Sequence, residues 1–276
     1  MRIVSALFAI LAFAAAAPQD TLDLHMRYGQ PDLERFSIRP DVTLTAEYGS
    51  DGKACVLSVK PRHGLIAMDT ALDTLSEVAP PDLRGKGQLD TAMMIASAQI
   101  SVMLIHRGES EIKVTSLNDG TTQGVQSAEV KFKAADCDNQ INSVSKSDAS
   151  KEFHARYGKP DFERFIAGPD LALSVDYGMD GQACRMRIEH FHEAPGTGDD
   201  VAAALNEVVP PETRGKELGP GKVTGIAFPG KLPATEYENV TIDPYYGIVR
   251  TPPAPSGFEI LFKRPACQSL PEHTEN

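Results

Sequence analysis

Apolar and polar positions along this chain follow one succession of patterns, and the succession is then repeated. Leu24 and Tyr28 lie four positions apart, as do Phe153 and Tyr157, which puts each pair on one face of a short helix. Asp20 or Thr21 is placed to cap the first helix, and Asp148 or Ser150 the second. Gly29 and Gly158 stand where a left-handed C-terminal cap is wanted, and Pro31 and Pro160 prevent continuation. Arg27 and Arg156 fall in the last turns, where the helix dipole favours a cation. Strict alternation follows in Val42-Thr43-Leu44-Thr45-Ala46-Glu47-Tyr48 and in Leu171-Ala172-Leu173-Ser174-Val175-Asp176-Tyr177, as in strands with one buried face.

Asp51-Gly52 and Asp180-Gly181 then signal tight turns, so each alternating run predicts an antiparallel hairpin. In the returning strand of the second hairpin, Cys184, Met186 and Ile188 share the inner face. Arg185 and Arg187 point outward, with Asp176 as a cross-strand partner. A second helix is expected in each copy, roughly over 66–78 and 200–209, ended by Pro-Pro. Further strands are expected over 110–117 and 128–133, and the apolar run 92–105 reads as a buried strand. Helices alternating with antiparallel hairpins predict an α+β fold: two tandem homologous two-layer domains, each an antiparallel sheet with two helices.

The repeat is explicit in the residues. His25 to Cys55 align with His154 to Cys184 without a gap, 18 of the 31 positions being identical, and RYGQPDLERF returns as RYGKPDFERF. Each copy holds an early and a late cysteine, so the simplest pairing is Cys55 with Cys137 and Cys184 with Cys267. The polar, Ser-rich DNQINSVSKSDAS between the copies reads as a linker. The expected organisation is a signal peptide over 1–17, a first repeat domain over 18–146 and a second over 147–276. The signal peptide is read from Arg2, an apolar run and Ala14 to Ala17, with cleavage near Ala16 or Ala17, and it predicts a secreted or periplasmic protein without a membrane span. The order helix, YG-x-PD, strands, with a disulfide per copy, is similar in architecture to the secreted β-lactamase-inhibitor proteins, a likeness that transfers no functional residue.

Charge narrows the partners. With 27 basic and 38 acidic residues the formal charge is −11, and no Lys/Arg-rich cluster reverses it locally, which disfavours nucleic acid. No G-x-S-x-G, P-loop or H-E-x-x-H occurs, so neither a cofactor nor a recognised catalytic centre is expected.

The remaining candidates are local. His190 and His192 alternate along a strand end and could share a metal ion. His25, Glu34 and Arg35, matched by His154, Glu163 and Arg164, form a repeated group capable of acid-base chemistry, although the ERF motif reads chiefly as folding punctuation. Arg84 with Lys86, and Arg214 with Lys216, make cationic turns suited to an anion. Tyr245 and Tyr246, followed by a Pro-rich stretch in the second copy alone, suit a recognition loop. The leading expectation is therefore a non-enzymatic binding or interaction protein. An extracytoplasmic hydrolase with its site between the domains and a structural envelope protein without a discrete ligand are the alternatives.

Overall fold

A computed structural model describes residues 21–79, 91–97, 99–107, 110–118, 123–133, 137, 148–190, 198–221, 232–246 and 255–268. The fold is α+β and mostly antiparallel sheet. In the N-terminal half, helix α1 (Thr21–Tyr28) leads to strands β1 (Leu33–Arg39), β2 (Val42–Tyr48) and β3 (Ala54–Pro61). Helix α2 (Met68–Val78) follows, then β4 (Thr91–Ala96), β5 (Ile100–Arg107), β6 (Ser110–Asn118) and β7 (Gln123–Phe132). The C-terminal half runs α3 (Asp148–Tyr157), β8 (Phe162–Ile166), β9 (Leu171–Tyr177), β10 (Ala183–His190), α4 (Gly198–Val208) and α5 (Pro211–Arg214). It finishes with β11 (Glu217–Pro220), β12 (Thr235–Tyr237), β13 (Val240–Tyr245) and β14 (Gly257–Phe262).

The fourteen strands among the described residues join one sheet, in the order β11-β12-β13-β14-β10-β9-β8-β1-β2-β3-β7-β6-β5-β4. Where two separate sheets were expected, β1 and β8 pair antiparallel and fuse the halves, with Glu34 opposite Glu163 and Leu33 opposite Arg164. Backbone bonds from Asp32 N–H to the Arg164 carbonyl and from Asp161 N–H to the Arg35 carbonyl extend this ladder at both ends. Leaving the facing edges of β1 and β8 open would expose two rows of unpaired amides.

Several predicted local features are found where they were placed, although Thr21 and Ser150, read as possible caps, lie within their helices. Gly29 and Gly158 adopt positive φ and return their N–H groups to the carbonyls of His25 and His154. The alternating burial of β2 and β10 matches the period-two reading, and Arg185 donates to Asp176 across β9 and β10. Both disulfides form as paired above, Cys55–Cys137 and Cys184–Cys267. Among the described residues no helix is long and apolar enough to cross a membrane. The signal-peptide and linker readings fall outside the described residues.

Two corrections follow from the tertiary structure. The 92–105 stretch is a hairpin, β4 and β5, at the end of the sheet rather than one buried strand. More consequentially, the first helix of each copy does not cover its own half. Leu24 and Tyr28 of α1 join the core of Phe165, Leu173, Val175, Met186 and Ile260, whereas Phe153 and Tyr157 of α3 join that of Phe36, Leu44, Leu57 and Val130. Only four residues separate α1 from β1, and β1 lies beside β8, so each helix crosses the β1/β8 junction to its neighbour's core.

Candidate functional site

Exchange of the helices brings the repeated polar residues together across the halves. On the helix-covered face of the junction, His154 Nε2 lies 2.6 Å from Glu34 Oε1, and His25 Nε2 lies 2.7 Å from Glu163 Oε1. The second oxygen of Glu34 accepts a 2.5 Å bond from the Tyr48 hydroxyl, and Tyr177 serves Glu163 in the same way. Both carboxylates are fully buried, although they face one another in the strand register, where like charges repel. Two His–Glu–Tyr sets related by an approximate two-fold axis therefore meet at the centre of the molecule.

The electrostatics follow from that geometry. For His154 the hydrogen bond with Glu34 outweighs burial and raises the imidazole above its ordinary value. For His25 burial pulls downward, but the bond to Glu163 and the two carboxylate charges prevail, again raising it. Burial, then the charge of Glu34, pushes the Tyr48 hydroxyl far up, which keeps it a protonated donor. Glu34, Glu163 and His154 present donor atoms all within 4.8 Å of one another.

The opposite face of the junction repeats the crossing with different chemistry. Arg164 pairs with Asp32 at 2.8 Å and Arg35 with Asp161 at 2.6 Å, and Arg35 also reaches Asp176. At the helix ends, Arg27 donates to the Glu207 carbonyl of α4 and Arg156 to the Glu77 carbonyl of α2. Hence Arg, Asp, Glu and Arg of RYG-x-PD-x-ERF all bond into the other half, and only its Gly and Pro punctuate the chain. The His–Glu–Arg grouping expected within one copy is a His–Glu pairing between copies, with Arg35 and Arg164 on the far side of the sheet. A cleft of about 510 Å³ lies beside α1, lined by Arg27, Tyr28, Ile166, Pro169 and Glu207. The polar groups at its rim pair with each other, since Arg27 and Tyr28 both reach Glu207.

The other candidates are dispersed. Arg214 is buried and donates to the Val209 carbonyl and to Asn206, bracing the turn after α4, while Lys216 is exposed. Arg84 and Lys86 lie outside the described residues, as does His192. His190 ends β10 with both ring nitrogens buried and without a hydrogen-bond partner among the described residues. Tyr245 belongs to β13 and pairs with Gly257, and the Tyr246 hydroxyl accepts a bond from Leu232 N–H.

One surface feature escaped the sequence reading because the run 92–105 looks like core. On the β4/β5 hairpin Met93, Met94, Ile95 and Ile100 are 50%, 72%, 57% and 46% exposed. Met93 and Ile95 alternate with Met94, so apolar side chains emerge on both faces of β4, and β4 is the terminal strand of the sheet. The opposite terminus, β11, is four residues long, register-shifted and closed by Pro220, devices that discourage pairing. The chain matches no protein-family model, no curated protein and no solved structure.

Proposed function

We propose that this is a non-enzymatic, extracytoplasmic interaction protein, built from a duplicated, disulfide-closed α+β unit, which receives an extended segment of a partner protein as an added strand along β4. The observation that supports it is the contrast between the two ends of the sheet. One is blunted, whereas the other offers six uncharged residues, TAMMIA, with exposed Met and Ile side chains on both faces. Main-chain pairing to such an edge supplies affinity, and flexible methionines adapt to varied apolar partners. The segment that fits is apolar and not acidic, given the net charge of −11. Two disulfides suit an oxidising compartment.

The test uses the oxidised protein and a Met94→Lys variant, which places a charge on the open edge while leaving the core intact. A partner bound by the wild type and lost by the variant, with slowed hydrogen exchange of the β4 amides in the complex, supports strand addition. Self-association through β4, or binding that leaves those amides unprotected, rejects it.

A further inference from the structure

We propose that the buried junction is a binding site for one divalent cation of the zinc class, held by Glu34, Glu163 and His154 with His25 as the fourth donor. Donor type supports this first: two carboxylates and two imidazoles form an N₂O₂ set that suits zinc. Convergence is the second point. Glu34, His154 and Glu163 already bring donor atoms within 4.8 Å of one another, and His25 Nε2 stands 2.7 Å from Glu163 Oε1. Tetrahedral zinc with bonds near 2 Å separates its donors by about 3.3 Å, so each His–Glu pair opens by about 0.6–0.7 Å, while the wider separations in the Glu34–His154–Glu163 cluster close and His25, which stands outside that cluster, moves in as the fourth donor.

The surroundings meet the remaining requirements of such a site. Tyr48 and Tyr177 donate to the outer oxygens of the two carboxylates, the arrangement that orients metal-bound carboxylates elsewhere. Phe36 and Phe165, both fully buried, pack edge-on against His154 and His25 and hold the rings in place. Entry is through the histidines, whose side chains remain 36% and 20% exposed while both glutamates are sealed. One divalent charge balances the two facing carboxylates. Because the donors come from α1, β1, α3 and β8, the ion would tie the exchanged helices to the fused sheet.

The experiment is a titration of the oxidised, chelator-stripped protein with Zn²⁺ in competition with a chromophoric chelator. We expect one zinc per chain with a dissociation constant below about 10 µM. Glu163→Gln should weaken binding on the order of 100-fold or more, and Tyr48→Phe, which keeps every donor atom, about 10–100-fold. His106→Ala removes the surface His106–Glu111 pair and should leave the tight site unchanged. Should Glu163→Gln fail to fold, the Tyr48→Phe titration decides. Binding weaker than about 10 µM, or tight binding that Tyr48→Phe leaves unchanged, overturns the site.

Discussion

Replacing Tyr48 by phenylalanine removes one buried hydroxyl beside the β1/β8 junction. Tyr48 is 1% exposed and Glu34 fully buried, and the ring keeps its packing, so the variant removes the hydroxyl that donates to Glu34 Oε2 and that Ser150 also bonds. A bond to a charged acceptor contributes about 1.5–3 kcal/mol, and a buried acceptor deprived of its donor retains the cost of having left bulk water. Stability should therefore fall by roughly 2–3 kcal/mol, or about 4–10 °C in Tm for a chain of this size. Urea unfolding of the oxidised protein, followed by far-UV circular dichroism, measures it at unchanged m-value. Tyr177→Phe should cost the same within about 0.5 kcal/mol, since it serves Glu163 in the equivalent place. Tyr28→Phe is the control, because its hydroxyl bonds Arg27 and makes a 3.5 Å contact with Glu207 at an exposed rim, and a loss under about 0.5 kcal/mol is expected there. A loss that small for Tyr48→Phe itself would refute the reasoning, by showing that the carboxylate does not depend on that donor.

Other consequences follow from the helix exchange and the disulfides. Phe153→Ala, on the first helix of the second copy, should destabilise by about 3–5 kcal/mol and speed hydrogen exchange in β1 to β3 rather than β8 to β10. Faster exchange confined to β8 to β10 would contradict the crossing. Calorimetry should show one unfolding transition, because neither half retains its core without the other's helix, whereas two separated transitions would indicate autonomous halves. Replacing Cys184 and Cys267 by alanine opens a loop with a sequence separation of 83, at a cost of about 4–5 kcal/mol in the chain-entropy description, measured by urea unfolding. Gly215→Ala should also destabilise measurably in the same assay, since φ is +77° there and a Cβ would sit 2.9 Å from that of Glu238.

Short-range information was legible in the residues alone. Alternation in 42–48, the Asp-Gly turns, the glycine caps and the cysteine spacing each depend on neighbours within a few positions or on the repeat itself, and each is found in the structure; 171–177 is a strand as expected, but with Ala172 and Asp176 buried on its second face as well. The partner of an open strand edge is not encoded that way. Nothing in LERFSIR or FERFI says that β1 takes β8 beside it, because antiparallel pairing needs only free amides and compatible faces. That one pairing decided the rest: it put Glu34 opposite Glu163, sent α1 and α3 over each other's cores, and turned a motif that looked like punctuation into the bonds between halves. The hairpin at 91–107 was misjudged for a related reason. An apolar run reports that its side chains avoid water, and only the position of β4 at the end of the sheet leaves them facing it.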